Sequence, residues 1–232
     1  MIEVKIEGPG KNALGTPVME ALLARLAQAG RQPLLLTGAG DAFSAGLNLK
    51  EIAALDLAGM EAFLRLLERL VQTLWSWPGP TVALVNGHAI AGGCVLALCC
   101  DHRLTRADPA IRIGLNEVAL GLRFPPSILR LARARISPAH LDQVLLGAGL
   151  HAPAEALRLG LVDEVADDAP AAARRRLEAL AAHPPDGYAA AKAALRAPLL
   201  EAADDAVFRA ILPSWTSPEL KARLMAVLKP KG

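Results

Sequence analysis

Short apolar runs, each closed by small residues and followed by helical periodicity, recur along the first two thirds of the 232-residue chain. Pro33 to Thr37 runs into the loop Gly38-Ala39-Gly40-Asp41. Thr81 to Asn86 runs into a second glycine-containing turn, then into an apolar helix ending near Cys100. Runs this short and this uniformly apolar are buried strands, and strands alternating with helices build an α/β core. Ile2, Val4 and Ile6 alternate with charged residues, the pattern of a half-exposed first strand. Thr16 and Pro17 open a helix that Gly30 closes. Phe63, Leu66, Leu67, Leu70 and Leu74 mark one face of a helix over 58–75, stopped by Pro78, Gly79 and Pro80. Residues 103–105 and 111–113 read as further short strands. From Ala171 onward the chain reads as helical, with breaks expected at Pro184-Pro185, Pro198, Pro213 and Pro218. The chain therefore divides into an α/β core, 1–168, and a helical region, 169–232, that packs on its own core or on a neighbouring subunit.

Composition narrows the function classes. A 53% hydrophobic, 21% charged chain excludes disorder, and 3% aromatic residues leave no stacking platform for bases. The net charge of +2 is scattered, so no footprint for nucleic acid or an anionic membrane emerges. The longest apolar stretch, Ala89 to Cys100, falls short of the about 20 residues a bilayer span needs. The start MIEVKIEGPGKN lacks the pattern of a signal peptide, and three cysteines make no disulfide framework. A cytoplasmic protein is expected.

Three segments could carry chemistry. In GAGDAFSAGLNL, 38–49, the small residues Ser44, Ala45 and Gly46 would let a ligand approach the backbone. Phe43 stands where a dinucleotide fingerprint needs its third glycine, so that reading fails; an ordinary glycine loop remains open. In NGHAIAGGCVLAL, 86–98, backbone N–H groups at the start of a helix lack intrahelical partners, and two such donors can hold a developing oxyanion. Gly92 and Gly93 could equally serve helix-on-strand packing. In IGLNEVALGL, 113–122, Glu117 is embedded in apolar sequence, where a carboxyl pKa rises toward the range of a general base; a solvated face is the plainer alternative. Cys94, Cys99 and Cys100 have no zinc-site spacing and read as core thiols, with His102 as a surface histidine, so no metal site is expected.

Together, in this order, the segments resemble the crotonase (enoyl-CoA hydratase/isomerase) superfamily. KNALGTPVMEAL at 11–22, AFSAGLNLKEI, VALVNGHAIAGGCVLALCCD and PAEALRLGLVDEV extend the resemblance over nearly the whole chain, the helical tail being its least specific part. The resemblance implies a superhelix of repeated ββα units with a C-terminal helical trimerisation region. It also implies an acyl-CoA thioester as substrate, its carbonyl held between the N–H groups of Leu47 and Gly92. Lys11 and Ala13 would lie near the adenine, and Ala45, Gly46, Leu47, Asn48 and Leu49 along the pantetheine. No separate cofactor is implied, since coenzyme A belongs to the substrate. A trimer or dimer of trimers is implied as the assembly. Lys221 and Lys229 are candidates to reach the CoA phosphates of a neighbouring subunit, although solvated helix lysines are the simpler reading.

The hydratases of this family carry a glutamate directly after the cysteine of the second motif. Here that residue is Val95, and only the second position is filled, by Glu117. One glutamate suffices to move a double bond from C3 to C2 of a 3-enoyl-CoA, and the motifs look closest to the mitochondrial-type Δ3,Δ2-enoyl-CoA isomerases. The alternatives are another reaction of the family (hydration, decarboxylation or thioester hydrolysis) or an acyl-CoA-binding protein without turnover. Asn48 replaces the family's usual aspartate, which matters only if the aspartate does more than bond backbone. Phe124 and Pro125 could shape an acyl pocket or simply turn a loop.

Overall fold

The computed structural model describes residues 1–200 and 205–228. The chain begins with β1 (Ile2–Ile6), a one-turn element α1 (Pro9–Asn12) and α2 (Thr16–Ala29). Next come β2 (Leu34–Gly38), β3 (Ala42–Ser44), α3 (Leu49–Ala54) and α4 (Leu57–Trp75). A second unit follows with β4 (Thr81–Val85), β5 (His88–Ile90) and α5 (Gly92–Leu98). A third has β6 (His102–Thr105), β7 (Ile113–Gly114) and α6 (Glu117–Leu120). Beyond them lie α7 (Pro126–Arg135), α8 (Pro138–Leu145), α9 (Pro153–Arg158) and β8 (Glu164–Val165). Four helices close the described chain: α10 (Ala169–Ala181), α11 (Pro185–Leu200), α12 (Asp205–Trp215) and α13 (Pro218–Leu228).

Each unit contributes one strand to each of two parallel sheets, ordered β1-β2-β4-β6-β8 and β3-β5-β7. This strand–strand–helix repeat is the architecture expected of an α/β crotonase-like superhelix. β2 and β4 are buried at every position because the larger sheet is covered twice. Leu34, Leu36, Ala83 and Val85 face the main core with α2, α4 and α5, while Leu35, Val82, Leu84 and Leu104 pack against Ala169, Ala172, Ala173 and Leu177 of α10. Truncating one such leucine to alanine costs about 2–5 kcal/mol. Asn86, just past β4, holds the loop between β2 and β3: its Nδ2 donates to the carbonyls of Gly38 and Gly40, and its Oδ1 accepts from Gly38 N–H.

Several expectations need correction. β3 and β5 lie inside stretches that read as glycine loops, and β8 inside what read as a composition shift. β7 is Ile113–Gly114 rather than 111–113. Pro185 and Pro218 open helices as expected, but α11 continues through Pro198 and α12 contains Pro213. Pro213 deprives only Arg209 O of its intrahelical partner, and Arg209 is exposed to water, so the helix tolerates it. His102 is not a surface residue: it is half-buried, with Nε2 3.1 Å from Glu164 Oε2.

Candidate active site

The smaller sheet sets the site. Ala89 of β5 lies between Ser44 of β3 and Ile113 of β7, so three parallel strands end side by side. Leu47, Gly92 and Glu117 each follow one of these ends within four residues. The C-terminal edge of a parallel sheet is where α/β folds collect ligand-binding loops.

The loop after β3 is held from the N-terminal side. Gly10, Lys11 and Asn12 form a left-handed turn with φ of 64°, 61° and 59°. Two non-glycine residues there are uncommon, and the buried Asn12 stabilises the turn. Its Nδ2 donates to the carbonyls of Ala39 and Ala42 at 2.8 Å, its Oδ1 accepts from Gly8 N–H, and its own carbonyl accepts from Ser44 Oγ. Leu14 then bridges the loop, its N–H donating to Gly46 O and its carbonyl accepting from Asn48 N–H. In that parallel pattern the Leu47 N–H points away from Leu14 and has no protein acceptor among the described residues. Asn48 caps α3, its Oδ1 accepting from Lys50 and Glu51 N–H. Backbone capping is thus what Asn48 does here, and asparagine caps as well as aspartate.

The second loop turns sharply at Ala91, whose φ of 47° and ψ of −118° are strained for a residue with a Cβ. Ala91 N–H donates to Gly114 O at 2.8 Å, tying the turn to β7. Gly92 and Gly93 then open α5, and Gly92 N–H finds no protein acceptor among the described residues. The glycines are required by contact: a Cβ on Gly93 would stand 2.5 Å from Ser44 O, and one on Gly46 2.6 Å from Ile90 O. A Cβ on Gly92 would stand 3.0 Å from Leu47 Cδ2, so the two loops touch where both amides are unpaired.

Glu117 opens α6 and is only 5% exposed. Its Oε2 is buried without a hydrogen-bond partner among the described residues. Burial raises its pKa to about 7, opposed weakly by its own backbone N–H, and no other charged group contributes. The charge of Glu117 acts on Cys94, one turn into α5, whose thiol burial pushes up to about 12. Cys99 and Cys100 are equally buried and raised, so none of the three is a nucleophile at neutral pH. Val95 is wholly buried in the core and offers no acid or base.

A cavity of about 320 Å³ lies against the first loop. Ala13, Ala45, Leu47, Asn48 and Leu49 line it; Lys11, Gly46, Gly92 and Glu117 do not. Lys11 instead pairs with Asp41 at 2.6 Å on the surface. Lys50 and Leu228 line the cavity and had no sequence signal; Leu228 arrives on α13, which packs against α3 and α6 of its own chain. Lys221 donates to Leu55 O at 3.2 Å within the same chain, and Lys229 lies outside the described residues. Asn12 is the other residue missed; its one cue is its type, since asparagine tolerates left-handed backbone. Phe124 is half-buried against the core, and Trp215 Nε1 fixes its neighbour by donating to Arg123 O.

Comparison with known proteins adds a context. The family described as enoyl-CoA hydratase/isomerase matches residues 1–211. The mouse mitochondrial enoyl-CoA delta isomerase 1 is 37% identical over 123 residues, 53% of this chain and 43% of that protein. A putative enoyl-CoA hydratase of Thermus thermophilus is 38% identical over 163 residues, 67% of this chain and 63% of that protein. The matches thus span less than two thirds of either relative. The crystal structure of the human mitochondrial delta3-delta2-enoyl-CoA isomerase superposes with a TM-score of 0.91 at 26% identity, covering 97% of this chain and 92% of that one.

Proposed function

Because the chain belongs to the enoyl-CoA hydratase/isomerase family, we propose that it shifts the double bond of a 3-enoyl-CoA to C2, with Glu117 as the sole acid–base group. The observation that carries this reading is the solitude of Glu117. Burial alone sets its pKa near 7, no other charged group reaches it, and the neighbouring motif offers only Val95.

The steps follow from that arrangement. The Glu117 carboxylate takes a proton from C2 of the bound thioester, and the electron pair of the broken C–H bond delocalises onto the thioester oxygen. Leu47 N–H and Gly92 N–H, both without protein acceptors, hold that oxyanion, and preorganised donors of this kind supply about 3–4 kcal/mol each. The Glu117 carboxyl then returns the proton to C4, the charge collapses, and the double bond rests between C2 and C3. A pKa near 7 lets one group act in both directions, since neither protonation state is strongly preferred at neutral pH. Hydration would need a second group to deliver a proton to carbon while Glu117 activates water, and Val95 cannot.

The cavity beside Ala13, Ala45 and Leu49 suits the pantetheine arm, with Lys50 at its wall as a cation for the phosphates. The expected trimer remains part of the same proposal and is read by sedimentation. The reaction itself is tested by offering trans-3-hexenoyl-CoA and trans-2-hexenoyl-CoA to the wild type in parallel. Isomerisation should exceed hydration by at least about a hundredfold. Hydration at a comparable or greater rate would overturn the assignment.

A further inference from the structure

A second cavity, of about 370 Å³, opens at the N-terminal ends of β4 and β6 and shares no lining residue with the cavity beside Leu47. Its walls carry Arg135 from α7, Arg176 from α10, and Lys192 and Arg196 from α11, together with Asp101. Asp101 is saturated: it accepts from Thr81 N–H and Oγ, from Tyr188 Oη at 2.8 Å, from Lys192 Nζ at 2.8 Å and from Arg196 at 2.5 Å. Arg103 is matched by Asp163, and Arg176 by Glu164 at 3.4 Å. Lys192 and Arg196 share Asp101, while Arg135 feels both Asp101 and Asp163, so Lys192, Arg196, Arg135 and Arg103 outnumber the two carboxylates they face.

The excess is not idle packing. Arg196 is consumed by Asp101, by the carbonyls of Trp75 and Cys99, and by stacking 4.1 Å above the Trp75 ring. Arg135 donates through NH2 to the carbonyls of Cys100 and Asp101 and lies 5.9 Å from the Trp75 ring centre, but its buried Nε–H has no partner among the described residues. Burial lowers the Lys192 ammonium to about 8 despite Asp101, and burial with Arg103 and Arg196 lowers Arg135 to about 10. Uncompensated buried charge is costly, and an anion entering the cavity relieves it. The rest of the wall is Leu180, Ala191 and Leu195 with His102 and Tyr188, and the volume is several times that of a bare oxyanion.

We propose that this cavity is a second binding site, for a small organic anion with an apolar body, its charged head beside Arg135 and Lys192 and its body along Leu180 and Leu195. The inference stands apart from the reaction assigned above. The probe is octanoate, titrated by calorimetry into the protein with hexanoyl-CoA present so that the first cavity is not offered. 1-Octanol is the uncharged control. Arg176→Glu and Leu195→Glu place negative charge at the mouth; both side chains are exposed, so neither variant threatens the fold. Octanoate should bind at one site per chain, and each variant should weaken it at least about fivefold, as loss of a charge-assisted contact does. Binding no better than that of 1-octanol, or binding untouched by both variants, would overturn the inference. A cavity closed by a second copy of the chain gives the first of these results.

Discussion

Asp101 and Glu117 are both carboxylates taken out of water, and the protein treats them in opposite ways. Burial works to raise both. At Asp101 the charges of Lys192 and Arg196 outweigh it and hold the group below the usual carboxylate range. At Glu117 nothing opposes burial but one backbone N–H, and the pKa climbs to about 7. Asp101 has five donors and joins β4 and β6 to α11; Glu117 keeps one oxygen unpaired at the end of β7. Depth does not distinguish a structural carboxylate from a chemical one. The partners do, and a buried acid left without them is held ready to exchange a proton.

The two sites should answer substitution with opposite signs. Asp101→Ala strands Lys192 and Arg196 in the interior and should cost about 3–5 kcal/mol of stability, read from the denaturant midpoint. Glu117→Gln removes a group that resists ionising. Between the unfolded value of 4.5 and about 7 the folded protein holds the extra proton, so wild-type stability falls as pH rises through that window. At pH 8 the glutamine variant should accordingly be the more stable, by up to about 3 kcal/mol. Asp101 has the reverse dependence: its contribution is complete above the unfolded value of 3.8 and is lost as pH falls through the lower folded value. In kinetics the same contrast predicts that kcat/KM rises about tenfold per pH unit up to about 7 and then levels, as the base form of Glu117 fills. A profile flat from pH 5 to 8 would break the comparison. The smallest effect belongs to the loop that serves the site: Asn48→Ala removes the cap of α3 and should cost about 1 kcal/mol, while Asn48→Asp should restore it.

Much of this architecture is legible from residues alone. Uniformly apolar runs such as Thr81–Val85 announce buried parallel strands, and small residues at Gly46, Gly92 and Gly93 announce close backbone approach. The apolar setting of Glu117 points to a raised pKa before any coordinate is seen. What stays hidden is non-local. β3 and β5 are three residues each, too short for a period to show, yet their register is what lines up the loops of Leu47, Gly92 and Glu117. The hydrogen bonds that make Asn12 the anchor of the first loop reach residues as far as Ser44. Docking of α13 on α3 and α6 of the same chain is a matter of tertiary packing, which the periodicity of a helix leaves open. Nothing local marks Asp101, which follows an apolar helix, because its partners Lys192 and Arg196 lie 91 and 95 residues away.

The most direct test of the central claim is turnover of trans-3-hexenoyl-CoA by Glu117→Gln beside the wild type, followed by absorbance of the conjugated product, with acyl-CoA affinity measured on both. The account predicts unchanged affinity, unchanged or greater stability, and a rate at least about a hundredfold lower. A variant that binds the thioester and isomerises it at the wild-type rate would show that the proton moves through some other group.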